Sequence, residues 1–231
     1  MEITTSADND PFNYIAFFDL DRTITRAISG RAIVQRAIRR GMMNWTDFAK
    51  AVFLGASYRL GVSDPVKIMT KMTAWVKGQS EKSLEDLCLE VVNEVMLSSI
   101  YHEVFDELKM HRSKNGKTVI LSSSLVPVCR EIAGFLNMDD FICSRLEIRD
   151  GYFTGRPEGN LCFGEEKLIR LKEYCELNNS KVTESWYYGD SISDLPALKI
   201  VGVPVCVNPD RKLHKAAKEN GWRICYWKLI R

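Results

Sequence analysis

The sequence predicts an α/β fold: a three-layer, Rossmann-like core in which helices cover both faces of a parallel sheet, with a helical insertion after the first strand and a small β-hairpin. Two observations lead to it. Short, continuous apolar runs end abruptly in polar clusters, as buried parallel strands do. Helical periodicity fills the stretches between them, which implies right-handed crossovers and a site beyond the carboxyl ends of the strands.

The first run is Tyr14 to Phe18, ending in Asp19-Leu20-Asp21. The second is Thr118 to Leu121, entered from the turn-like Asn115-Gly116 and followed by Ser122-Ser123-Ser124. A third, Ser185 to Tyr188, ends in Gly189-Asp190-Ser191, and a fourth, Val203 to Val207, ends in Asn208-Pro209-Asp210. Helical patterns follow or precede them at Val126 to Phe135, Glu165 to Leu177, Ser193 to Leu198 and Lys212 to Asn220. From about Ser29 to Leu108 the periodicity is almost wholly helical, with Ile33, Ala37 and Ile38, then Phe48, Val52 and Phe53, then Leu84, Leu87 and Val91 on three- and four-residue spacing. Ser144 to Gly155 alternates around Asp150-Gly151, a two-residue hairpin turn. The expected division is a disordered lead-in at 1–12, a core built from 13–28 and 105–231, and a helical insertion at 29–104.

Charge and cysteine usage narrow the function. A net charge of +2 provides no field for a polyanionic partner, so nucleic acid is not expected. Seven cysteines, an odd number without a Cys-x-x-Cys pair, read as reduced thiols in a cytoplasmic protein rather than as disulfides or a zinc site. The start of the chain is acidic and polar, unlike a secretory signal, and the longest apolar run, Ile200 to Val207, is too short to span a bilayer.

Asp19 and Asp21, two apart at a strand end, suit phosphoryl chemistry. A carboxylate can accept a phosphoryl group covalently, and a second can give a proton to the leaving oxygen and then take one from water. Carboxylates beside a phosphate dianion need a cation, and Mg2+ with oxygen ligands is the natural one; Asp190 can supply a further ligand. Ser122 can donate to a phosphoryl oxygen, and Lys167 can offset its charge. Each residue also has a plainer reading: Asp19 and Asp21 as loop formers, Asp190, Ser193 and Asp194 as groups at a helix start, Ser122 as a cap, Lys167 as an exposed lysine.

In combination and order, Asp19-Leu-Asp-Arg-Thr23, Ser122, Lys167 and Gly189-Asp190-Ser-Ile-Ser-Asp194 resemble the four motifs of the haloacid dehalogenase superfamily, and most of all its phosphoserine phosphatase-like subfamily IB. The resemblance covers nearly the whole chain from Tyr14. It implies that the insertion is a type 1 cap, that Asp19 is the nucleophile, and that Asp21 is the general acid/base. It further implies Mg2+ held by Asp19, Asp190 and the backbone carbonyl of Asp21. Ser122 would orient the phosphoryl group, Lys167 would stabilise it, and Asp194 would hold Lys167 or a metal-bound water. Ser123, Arg22 and Arg26 are the expected substrate-binding residues.

Phosphate-ester hydrolysis is favoured over dehalogenation because dehalogenating branches lack a carboxylate at the position of Asp21. Phosphoserine phosphatases carry a Glu soon after the first motif. Thr25 to Arg31 here holds no acid, which argues against phosphoserine. Arg22, Arg26 and Arg31 instead make the entrance basic and suit a small phosphorylated substrate with a second anionic group. The competing function is a non-catalytic, regulatory phosphate-binding module on the same scaffold, which would have no use for Asp21. Trp45, Phe48, Phe53, Leu54, Tyr58 and Trp75 are either the insertion's own core or a surface for a lipid phosphate's tail. The sequence carries no signal of oligomeric state.

Overall fold

In the computed structural model, residues 12–49, 71 and 73–229 are described. The expected lead-in falls almost entirely outside them, as do Val52, Phe53, Leu54 and Tyr58. A six-stranded parallel sheet has the order β3-β2-β1-β6-β7-β8. Its strands are β1 (Tyr14–Phe18), β2 (Gly116–Leu125), β3 (Asp140–Ser144), β6 (Trp186–Gly189), β7 (Val203–Val207) and β8 (Arg223–Cys225). A separate antiparallel hairpin joins β4 (Leu146–Arg149) to β5 (Tyr152–Pro157). The helices are α1 (Ser29–Arg39), α2 (Glu81–Val91), α3 (His102–Ser113), α4 (Val126–Phe135), α5 (Glu165–Leu177), the single turn α6 (Leu195–Leu198) and α7 (Arg211–Asn220).

Alternation along β1 creates the layers. Ile15 and Phe17 point to one face, where they meet Leu171 and Cys175 of α5 and Leu213 and Ala217 of α7. Ala16 and Phe18 point to the other, where Val104 and Leu108 of α3 and Val128, Cys129 and Ile132 of α4 cover them. Because successive side chains alternate across a strand, a wholly apolar strand can be buried only between two such layers. The chain moves outward from β1 to β2 and β3, then crosses to β6 on the other side of β1. The carboxyl ends of β1 and β6 therefore flank the switch point, where α/β sheets bind ligands.

Two connections join this sheet to α1 and α2, and they are laced together. The Tyr101 N–H donates to the Ile24 carbonyl (3.0 Å), and the Arg26 N–H to the Ser99 carbonyl (2.7 Å). Beyond them Ala32, Ile33 and Ala37 of α1 and Leu84, Leu87, Cys88 and Val91 of α2 share the apolar cluster that continues into α3 and α4. Arg36 pairs with Glu90 and Glu94, and Arg40 with Glu90, across α1 and α2. Phe48 and Trp75 pack against the same cluster, whereas Trp45 is 73% exposed.

The structure corrects several sequence expectations. The sheet has six strands, not four: β3 and β8 are short edge strands whose half-buried residues carry little pattern of their own and are defined by pairing. The serine run lies inside β2, past a register shift between Leu121 and Leu125, instead of after the strand. The turn before α6 is capped by Ser191, reciprocally with Asp194, and not by Ser193. The hairpin turn is as expected: Asp150 (φ 51°) and Gly151 (φ 78°) are both left-handed, as a type I′ turn requires. All seven cysteines are unpaired. Among the described residues, no helix is long and apolar enough to cross a membrane.

Gly202, entering β7, lies where a Cβ would stand 1.9 Å from the Thr183 carbonyl oxygen. Since a backbone atom cannot swing aside, Gly202→Ala is expected to cost about 2–3 kcal/mol. Urea unfolding with an unchanged m-value measures it, and a wild-type midpoint would contradict this packing.

Candidate active site

Asp19 is the first residue past β1, and its N–H donates to the Tyr188 carbonyl (2.9 Å), which holds it against β6. Asp190 is the first residue past β6. The carboxylates of Asp19, Asp190 and Asp194 are all buried, each with an oxygen within 4.8 Å of the others. Lys167 enters from the first turn of α5. Its Nζ lies 2.9 Å from Asp19 Oδ1 and 2.7 Å from Asp194 Oδ1, and it donates to Tyr187 Oη (3.2 Å).

Asp194 is fully engaged. Oδ1 accepts from Lys167 and from the Tyr187 hydroxyl (2.8 Å), and Oδ2 accepts the N–H groups of Asp190 and Ser191, each at 3.2 Å. Gly189 makes room for it, since a Cβ there would come within 2.8 Å of Asp194 Cβ. Asp210 braces the same loop: its side chain accepts from Ile192 N and Leu213 N, and its N–H donates to the Asp190 carbonyl. Among the described residues, Asp19 and Asp190 are left with oxygens that no hydrogen bond or ion pair occupies.

Asp21 has both oxygens on Ser29, the first residue of α1: Oδ1 accepts from the backbone N–H (2.9 Å) and Oδ2 from the hydroxyl (2.8 Å). Arg22 lies with Nε 3.4 Å from Asp190 Oδ2. Arg26 and Arg31 are exposed and form no ion pair with a described carboxylate. Ser122 is buried and its Oγ accepts from Ser124 N (3.3 Å); Ser123 is half-buried. Among the described residues, no hydrogen bond joins Ser122 or Ser123 to the acidic cluster, and the buried hydroxyls of Thr23 and Ser124 have no partner. The structure thus brings Asp19, Asp190, Asp194, Lys167 and Arg22 into direct contact and leaves the serines beside that group, along β2.

The sequence profile of haloacid dehalogenase-like hydrolases matches residues 16–199, which contain every residue of this cluster. The chain belongs to that family. Among relatives of this hydrolase, a histidinol-phosphatase of Neisseria meningitidis is 29% identical over 223 residues, spanning 93% of this chain and 99% of that one. A probable phosphatase of Mycobacterium tuberculosis is 27% identical over 212 residues, spanning 90% and 74%. Of solved structures, a Bordetella pertussis protein of unknown function superimposes with a TM-score of 0.83 at 25% identity, covering 94% and 99%. A phosphoserine phosphatase in a phospho-aspartyl intermediate analogue has a TM-score of 0.70 at 15% identity, covering 94% of each chain, and so shares the fold.

Four carboxyl groups at this hydrolase site, Asp19, Asp21, Asp190 and Asp194, face two cations, Lys167 and Arg22. Burial pushes the Asp19 carboxyl up to about 7 against the pull of Lys167, with Asp194 and Asp21 adding to the rise. Burial, then the charges of Asp19 and Asp194, push Asp190 up to about 8. Burial works against the Lys167 charge, but Asp19 and Asp194 outweigh it and hold the ammonium well above the usual lysine range. A cluster of hard oxygen donors with this excess fits a divalent cation held by Asp19 and Asp190.

Sequence reasoning missed Tyr187, Ser29 and Asp210. Tyr187 read as an apolar strand residue, and Ser29 carried no signal before α1 was placed. Asp210 sits in the noted Asn-Pro-Asp run and caps α7 while reaching across to the Asp190 loop.

A carboxyl raised in the folded state binds protons there that the unfolded chain has released, so stability falls as pH rises from the ordinary 3.8 through about 8. The Tm of chelator-treated protein should decline across that window, the decline should be shallower in Asp190→Asn, and a divalent cation should raise Tm more at the alkaline end. An equal slope in Asp190→Asn would contradict the assignment.

Proposed function

We propose that the protein is a Mg2+-dependent phosphomonoesterase that works through an aspartyl phosphate on Asp19. The observation that carries this reading is Asp19 itself: a buried carboxylate at the switch point, on Lys167, beside Asp190, with a second carboxyl two residues on. The family membership and the phosphatase relatives support it.

A free Asp19 oxygen attacks phosphorus, and the ester P–O bond breaks. Asp21, raised above the usual carboxyl range by burial and partly restrained by Ser29, supplies the proton that the departing alkoxide takes. The same carboxylate then takes a proton from water, whose oxygen attacks phosphorus and frees Asp19. Lys167 opposes the rise that burial imposes on Asp19, favouring its ionised form, and stabilises charge on the phosphoryl oxygens. Ser122 orients the phosphoryl group by donating its hydroxyl, and Ser123 contacts substrate beside it. Asp19, Asp190 and the Asp21 carbonyl would hold Mg2+, which would supply neutralisation of the negative charge gathered there.

Residues 29–104 serve as a cap over the core formed by 13–28 and 105–231, with the paired Ile24 and Tyr101 segments as its connections. The substrate is a small phosphomonoester with a second anionic group, met at the mouth by the exposed Arg26. The seven unpaired thiols suit a reducing, cytoplasmic compartment.

With Mg2+, purified protein should release phosphate from a panel of amino-acid, sugar, nucleotide and lipid monoesters. Chelation should abolish release, and Asp19→Asn should lose roughly a thousandfold or more. Activity retained in Asp19→Asn sinks the covalent mechanism, and phosphate binding without turnover favours a regulatory module. For the second anion, kcat/KM for a carboxylate-bearing monoester over its neutral-alcohol analogue should drop about tenfold in Arg26→Ala. Equal turnover of the two in wild type, unchanged in Arg26→Ala and Arg31→Ala, rules it out.

A further inference from the structure

Two cations face the acidic cluster, and they differ in kind. Lys167 is 2% exposed and is tied to Asp19, Asp194 and Tyr187 at once. Arg22 forms one ion pair among the described residues, from Nε to Asp190 Oδ2 at 3.4 Å, and its side chain remains 44% exposed. It pairs with no other described carboxylate, and Asp190 forms no other ion pair among the described residues.

The rest of Asp190 is anchored without Arg22. Its N–H donates to Asp194 Oδ2, and its carbonyl accepts from Asp210 N (2.8 Å). The guanidinium is therefore unnecessary for placing this residue. Arg22 also has a φ of 64°, a left-handed conformation in which a side chain costs about 1 kcal/mol and glycine costs nothing. A solvated cation thus reaches one buried carboxylate from an unfavourable backbone position, where it can withdraw to water at little cost.

We propose that Arg22 is a displaceable counter-ion of Asp190 that sets how tightly the acidic cluster takes its divalent cation. This rests on the reading of Asp19 and Asp190 as metal ligands. A divalent ion reaching Asp190 meets the guanidinium as a competitor for the same oxygen and as a like charge. Binding releases Arg22 toward the mouth, beside Arg26, so the entrance becomes more cationic once the site is loaded. Lys167, locked in place, contributes a constant charge instead.

The test is Mg2+ titration of metal-free protein by calorimetry, with Mn2+ followed by electron paramagnetic resonance, at pH 9 so that protons do not compete. Arg22→Gly and Arg22→Asn, both compatible with a left-handed φ, should bind about three- to tenfold tighter than wild type in low salt. The gap should shrink near 1 M salt, where screening acts over about 3 Å. Arg22→Lys should stay within about twofold of wild type because it keeps the charge. Neutral variants that melt like wild type yet bind Mg2+ equally or more weakly overturn the proposal. Wild type that binds neither ion overturns the metal reading itself, and with it this inference.

Discussion

The Lys167 ammonium, withdrawn from water between Asp19 and Asp194, is what turns separate strand ends into one site. An isolated buried charge costs several kcal/mol, so it persists only where partners meet it with good geometry. Here the partners come from three segments: Asp19 after β1, Asp194 in the turn after β6, and the Tyr187 hydroxyl from within β6. Satisfying them fixes where α5 docks its first turn. It also requires a glycine at 189, because a Cβ would occupy the place of the Asp194 side chain. One ion pair therefore dictates the approach of a helix, the shape of a loop and the identity of a strand-end residue.

β6 is held from its other face by a second polar chain. The Tyr188 hydroxyl donates to Glu107 (2.6 Å), so its 2.9 Å bond to His111 must be donated by Nε2 of the imidazole. Nδ1 lies 2.9 Å from the Tyr14 hydroxyl of β1, from which it accepts when the ring is neutral. Burial pushes His111 down to about 4, which keeps the ring neutral. Phe18 stacks on Tyr188 at 4.2 Å. The two strands that deliver Asp19 and Asp190 are thereby locked to each other on one face by Lys167 and on the other by this chain, a rigid support of the kind that charge stabilisation requires.

Asp21 belongs to a different part of the molecule. Its carboxyl is held by Ser29 at the start of α1, beyond the first of the two laced connections. The Asp21 carboxyl is thus positioned from the start of α1, while Asp19 and Asp190 are positioned by the sheet. α1, α2 and α4 share one apolar cluster with the sheet, so the packing that seats α1 also seats Asp21.

Much of this was legible in the sequence because it depends on local pattern. Continuous apolar runs ending in Asp19, Ser122 and Gly189-Asp190 located the three central strands and the end of the sheet where the acidic cluster lies, since a parallel strand must bury both faces and can show charge only where it leaves the core. Asp150-Gly151 announced its hairpin through the left-handed turn that those residues tolerate. Pairing and direction were not legible. The edge strands β3 and β8 exist through their neighbours' hydrogen bonds, and Ser122 to Ser124 are drawn into β2 by the same pairing. Nothing in the residue types shows that Tyr187 meets Lys167, that Ser29 holds Asp21, or that Arg22 turns inward to Asp190 instead of outward to solvent. The sequence by itself determined which groups gather at the carboxyl edge of the sheet. Which of them touch was decided only by the tertiary structure, because burial makes each unpaired charge costly and only the packed chain shows which partner lies within reach.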